Sequence, residues 1–152
     1  TKGTILTDIL IINGPNLNLL GTREPEIYGK ESLADVEDSL QNLADKDNVS
    51  IKFMQSNAEH EIIDCIQDAN KDSTKFIIIN PGPLTHTSIA LRDTFLSTQI
   101  PFIEIHISNI HKREEFRKKS FLSDLSSGVI VGLGVNGYSY AFMQALKYIR
   151  SN

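Results

Sequence analysis

Glu104 and His106 stand two residues apart in PFIEIH (101–106), and strand alternation would put both side chains on one face. A carboxylate beside an imidazole orients the ring and favours its protonated form, which is what a general acid needs. The same pair could simply bridge at a sheet edge, although charges are rare inside such strands. Further polar side chains collect where apolar runs end: Asn13 and Asn16; Gln55, Ser56 and Asn57; Asn80 with Thr85, His86 and Thr87; His106, Ser108 and Asn109. Asparagine and serine at such places are common turn formers and helix caps. Four such ends on one rim also suit a small ligand rich in hydroxyl or carboxylate oxygens. His86 and His106 lack a third His or Cys at a ligand-like spacing, and His60 and His111 lie in polar contexts, so no metal site is expected. The run HKREEFRKKS (111–120) reads by default as a solvated helix face with i,i+4 pairs. It also sets Arg113 and Arg117 one helical turn apart near the rim, where either could clamp an anionic or hydroxylated substrate. GTREPEIYG (21–29) places Tyr28 in an exposed, charged connection, a use of tyrosine that the residues alone leave unexplained.

The elements that would hold these residues alternate regularly. DILIIN (8–13), KFIIIN (75–80), PFIEIH (101–106) and GVIVGLG (128–134) are short apolar runs, and NVSIKFMQS (48–56) alternates; all five predict strands. Between them, 31–46, 59–70, 85–98 and 137–150 carry helical spacing, with Thr85 placed to cap the third helix. Strands that are apolar on both faces, separated by amphipathic helices, give a parallel sheet covered on both sides. Five β/α units in 152 residues predict one α/β domain over 1–152, a flavodoxin-like three-layer sandwich with a five-stranded parallel sheet. In such sheets ligands bind outside the carboxyl ends of the strands, which is the rim that carries the polar residues.

Composition narrows the function classes. A formal charge of −4 provides no large basic field for nucleic acid or anionic lipid. The single cysteine, Cys65, excludes an internal disulfide and reads as a small buried hydrophobe on a helix. No apolar stretch is long enough to span a bilayer and no secretory signal pattern opens the sequence, so a cytoplasmic location is expected. GLGVNG (132–137) matches GxGxxG, but only one helix follows it, without the further strand and acidic residue of a dinucleotide site. NAD binding is therefore not expected, and the glycines read as close strand–helix packing and an open pocket floor.

Taken together, INGPNLNLLGTREPEIYG, QSNAEHEIID, INPGPLTHTSIALRD, IEIHISNIHKREEFRKKS and GVIVGLGVNGYSYA resemble type II 3-dehydroquinate dehydratase. The likeness runs from about Asp8 to the last helix. It departs at Pro83, where the family commonly has alanine, and at His60, where glycine is usual. The resemblance implies dehydration of 3-dehydroquinate to 3-dehydroshikimate with no metal and no cofactor, in shikimate biosynthesis or quinate breakdown. It implies Tyr28 as the base, activated by Arg23, since a guanidinium beside a phenol stabilises the phenolate. By the same likeness Asn16 holds a water on the enolate oxygen, and His106, oriented by Glu104, protonates the departing hydroxyl. Asn80, His86 and Arg117 would fix substrate hydroxyls, the backbone N–H groups of Ile107 and Ser108 would take the carboxylate, and Arg113 would help close a mobile loop. Asp93 matches an acidic residue that reaches a neighbouring subunit's site, which implies a homo-oligomer, a dodecamer built from trimers.

Three rivals are weaker. A type I dehydroquinase uses a lysine Schiff base on a much longer (β/α)8 barrel, and no lysine here sits in an evidently buried setting. A flavin- or phosphate-binding module would need a Gly/Ser/Thr-rich cradle after the first strand, for which NGPNLNLLGTRE is poor. A receiver-like signalling domain would need acidic residues where Asn13, Asn16 and Asn80 stand.

Overall fold

The computed structural model describes residues 6–22 and 24–151. Among these, strands β1 (Ile9–Asn13), β2 (Ile51–Gln55), β3 (Phe76–Asn80), β4 (Phe102–His106) and β5 (Gly128–Val131) form one sheet in the order β2-β1-β3-β4-β5. Every pairing is parallel. The helices are α1 (Pro25–Tyr28), α2 (Leu33–Lys46), α3 (Glu59–Lys71), α4 (Ile89–Thr98) and α5 (Asn136–Ser151).

Alternation along β1 shows how the layers arise. Ile9 and Ile11 pack with Val36, Leu40 and Ala44 of α2 and with Ala141, Phe142 and Ala145 of α5. Leu10 and Ile12 face the other way, onto Ile62 and Ile66 of α3 and Leu91 and Phe95 of α4. All four β1 side chains are at most 2% exposed, so each contributes about 1.5–3 kcal/mol of apolar burial. The edge strands β2 and β5 are only half-buried, as their positions require. β1 runs to β2 on one side and the chain then returns to β3 on the other, which opens a crevice at the carboxyl ends of β1 and β3. Asn13 and Asn80 are register partners at that point.

Two expected elements are different in the structure. The third helix begins at Ile89, capped by the Ser88 hydroxyl, which accepts from Leu91 N–H at 2.9 Å. Thr85 does not cap it. It lies in a 3-10 turn, Gly82–His86, and its hydroxyl donates to the Glu104 carboxylate at 2.7 Å. The 111–120 segment is not an α-helix but two 3-10 turns, Ile110–Lys112 and Glu115–Arg117. The Asn109 side chain accepts from His111 N–H at 3.1 Å, and Arg113 is extended (φ −108°, ψ −160°), which interrupts helical hydrogen bonding between the turns. Of the ion pairs seen there among the described residues, Arg117–Glu114 and Lys118–Glu115 are i,i+3 and Arg113–Glu114 joins neighbours.

Candidate active site

The sheet's carboxyl rim carries a cleft. Its walls come from the connection after β1 (Asn16, Leu17, Leu20), from Tyr28 at the end of α1, from Asn80 and the turn that follows β3 (Pro83, His86), and from the segment after β4 (His106, Ile107, Ser108, Ile110, Arg113, Arg117). Nine of the expected site residues thus share one surface. Glu104 stands behind that surface, fully buried beneath His106. Asp93 lies on the exposed face of α4, away from the cleft walls. Arg23 lies outside the described residues.

Each wall has a local cause. Asn16 takes the left-handed conformation (φ 72°) that asparagine tolerates, and its N–H donates to Asn57 Oδ1 at 2.9 Å. At the end of β2, Ser56 accepts from Ala58 N–H and pairs with Glu61. Both Ser56 and Asn57 therefore do turn chemistry and are absent from the cleft walls. Gly132 (φ 84°) lets the end of β5 approach the segment after β4, because a Cβ there would stand 3.0 Å from Asn109 Cβ.

His106 Nε2 donates to Glu104 Oε2 at 2.5 Å. β4 is an interior strand, so the pair is not an edge bridge, and it leaves Nδ1 as the ring nitrogen not committed to Glu104. Burial pushes the Glu104 carboxyl up, but hydrogen bonds from His106, Ser123 and Thr85 and the charge on His106 outweigh it and hold the group below the usual carboxylate range. His86 stacks near His106, ring centroids 6.3 Å apart and planes 20° from parallel. Its Nδ1 donates to the Lys119 carbonyl at 2.7 Å. Burial lowers the pKa of His86, and the proximity of His106 and Arg117 adds to that, which favours its neutral form.

Tyr28 is half-buried against the core on its ring side. Its phenol oxygen accepts from Arg113 Nη1 at 2.8 Å, and the same nitrogen lies 3.2 Å from Ser108 Oγ. The Arg113 guanidinium also sits 5.6 Å from the Tyr28 ring centroid. One arginine thereby ties the α1 tyrosine to the segment after β4.

Sequence reasoning overlooked two supports. Tyr138 of α5 is fully buried, as a packing residue would be. However, its hydroxyl also donates to Asn13 Oδ1 and accepts from Asn80 Nδ2 at 3.0 Å. Burial raises its pKa far beyond that of ordinary tyrosine, so it stays a neutral hydroxyl. Asn80 Oδ1 accepts from Gly82 N–H at 3.3 Å, so the Asn80 amide is fixed from both ends at the cleft wall. The other support is the group of hydroxyls around Glu104, from Thr85, Ser120 and Ser123. No sequence signal joined them to Glu104, since they lie 16 to 19 residues from it. The arrangement can donate a proton at His106 and stabilise negative charge at Tyr28 and Asn16, which is the equipment for an acid–base elimination.

Known proteins share this architecture. The dehydroquinase class II family model matches residues 7–146. The chain is 58% identical over 143 residues to a 3-dehydroquinate dehydratase of Idiomarina loihiensis, covering 94% of each chain. It is 56% identical over 142 residues to a 3-dehydroquinate dehydratase of Francisella tularensis subsp. novicida, covering 93% of this chain and 96% of the relative. The crystal structure of a type II dehydroquinase from Butyrivibrio crossotus superposes with a TM-score of 0.89 at 44% identity, covering 92% of this chain and 97% of that one.

Proposed function

This chain belongs to the dehydroquinase class II family, and from that premise we propose that its rim cleft removes water from 3-dehydroquinate to give 3-dehydroshikimate by cofactor-free acid–base elimination. The observation that carries the reading is that one cleft holds both halves of the chemistry. Tyr28 lies there under the Arg113 guanidinium, and His106 lies there backed by a buried carboxylate.

The proton at C2 is weakly acidic and lies alpha to the C3 ketone. Tyr28 as phenolate takes it, the C2–H bond pair becomes the enolate, and Asn16 holds a water on the enolate oxygen. The enolate collapses, a C1–C2 double bond forms, and the C1–O bond breaks as His106 delivers a proton to the departing hydroxyl. One water is released; exchange with solvent then removes from Tyr28 the proton it took and returns to His106 the proton it gave. Arg23 and Arg113 stabilise the phenolate; Asn80, His86 and Arg117 hold substrate hydroxyls; the Ile107 and Ser108 N–H groups receive the carboxylate.

The segment 21–29 is the lid, ordered by ligand, with Gly21 and Gly29 as hinges. Both hold positive φ, 92° and 85°. Asp93, exposed on α4, would act in a neighbouring copy of a homododecamer built from trimers. The whole chain would serve as one dehydroquinase domain in the cytoplasm, in shikimate biosynthesis or quinate breakdown.

The test is an absorbance assay for the conjugated enone formed from 3-dehydroquinate. Wild type should turn over, and Tyr28→Phe should fold normally yet lose about 10²- to 10⁴-fold in kcat. A fully active Tyr28→Phe would exclude Tyr28 as the base.

A further inference from the structure

Glu104 is completely buried, and the hydroxyls that surround it come from two segments, the turn after β3 (Thr85) and residues 120–123 (Ser120 and Ser123); none of the three hydroxyl residues lines the cleft. Thr85, in the turn after β3, donates to Oε2 at 2.7 Å. Ser123 donates to Oε1 at 2.6 Å. Ser120 Oγ lies 3.0 Å from Oε1 and 3.1 Å from Oε2, while it accepts from Leu122 N–H at 2.9 Å and Ser123 N–H at 3.0 Å. With those N–H groups on its lone pairs, the Ser120 hydrogen is shared between the carboxylate and Thr85 Oγ1, which lies 2.7 Å away. Glu104 therefore receives three hydroxyls and the His106 ring N–H, close to the four acceptor sites a carboxylate has. A protonated Glu104 would turn an O–H against one of these donors. The carboxylate is thus held as an anion in one orientation.

We propose that Ser123, with Thr85, is a positioning residue for His106, fixing through Glu104 which ring nitrogen carries the shared proton and which is turned to the substrate. This rests on the reading of His106 as the acid. Ser123 is itself held in place from outside the site. Its neighbour Asp124 takes both guanidinium nitrogens of Arg92 on α4, at 2.6 and 3.0 Å, and Arg92 also donates to the Phe121 carbonyl at 2.9 Å. The hydroxyls do no chemistry on the substrate. Their effect is to remove alternative arrangements of the carboxylate–imidazole pair. Without the Ser123 donor, Oε1 loses a partner, the carboxylate can rotate, and the imidazole follows it.

The experiment compares wild type with Ser123→Ala, Ser123→Thr, Thr85→Val and Thr85→Ser. One readout is steady-state turnover of 3-dehydroquinate; the other is the ring N–H signals of 15N-histidine-labelled protein without substrate. Ser123→Ala and Thr85→Val should each lower kcat about tenfold, the size expected for losing one hydrogen bond to a charged group, with KM within about twofold. Ser123→Thr and Thr85→Ser keep the hydroxyl and should recover most of the rate. In wild type the His106 Nε2–H, shielded by Glu104, should exchange slowly and be visible; in Ser123→Ala it should broaden or vanish while the other histidines are unchanged. Wild-type kcat together with an unchanged His106 signal in Ser123→Ala would overturn the proposal, as would a loss of rate that Ser123→Thr does not recover. Because the ring signals need no turnover, a wild type inactive on 3-dehydroquinate would count against the dehydratase reading and leave this test standing.

Discussion

The two halves of the cleft are built differently. The acid half sits on an interior strand: Glu104 is 0% and His106 6% exposed, and every Glu104 oxygen is engaged. The base half sits on α1, four residues long, with none of them buried. Its N-cap, Glu24, is in the left-handed region and makes no side-chain cap bond. The fold thus fixes the acid as part of its core, whereas the base stands on a short helix that buries none of its residues and is tied to the rim by Arg113. Substitutions in the first half should change rate and stability together; those in the second should change rate alone.

Glu104→Gln tests the first half most severely. The amide keeps the shape, removes the charge, and turns an NH2 group toward hydroxyls that are themselves donors. We expect kcat to fall about 100-fold and stability at pH 7 to drop by about 2–3 kcal/mol. The stability loss should depend on pH in a set direction. The folded carboxyl titrates below its ordinary 4.5, so its stabilisation is present above about 4.5 and is lost as pH falls through the lower folded value. The gap between wild type and Glu104→Gln in urea unfolding should therefore narrow on acidification below that point. Tyr28→Phe provides the contrast, since its unfolding midpoint should match wild type. Equal destabilisation by both variants would remove the distinction.

Tyr138→Phe lies between the halves, on the buried link Asn80–Tyr138–Asn13. Losing the hydroxyl leaves Asn13 Oδ1 and Asn80 Nδ2, both on buried side chains, without this partner, at a cost of about 1–3 kcal/mol in urea unfolding. The Asn80 amide is then free to turn, and KM should rise a few-fold. A fully stable Tyr138→Phe with unchanged KM would return Tyr138 to a packing role.

Much of this was legible from residue types. β1 and β3 announce themselves because a strand buried on both faces must be apolar at every position, and ILIIN and FIIIN are. The Glu104–His106 contact followed from period-2 spacing alone. Two misreadings have a common cause. Thr85 looked like a cap and 111–120 like a helix because local sequence patterns assume local partners. Thr85 instead bonds a carboxylate 19 residues away, and the charges of 111–120 are spread over turns that fold back over the rim. Ser120 and Ser123 were invisible for the same reason, since a serine carries no mark of a distant acceptor.

The smallest expected effect falls on the base half. Gly29, at φ 85° and ψ 177°, occupies a region that only glycine adopts readily. A Cβ there meets nothing within 4 Å, so Gly29→Ala introduces backbone strain without a clash, about 1–3 kcal/mol if the loop stays put. Since α1 buries no residue, the loop can relieve that strain by shifting α1, and Tyr28 shifts with it. Gly21 is less forgiving, because a Cβ there would stand 2.9 Å from the Lys30 carbonyl oxygen. Gly29→Ala should therefore lower kcat/KM a few-fold while the urea midpoint stays near wild type. A lowered midpoint with unchanged kcat/KM would mean that the segment is anchored as firmly as β4, and the contrast between the two halves would fail at its weaker side.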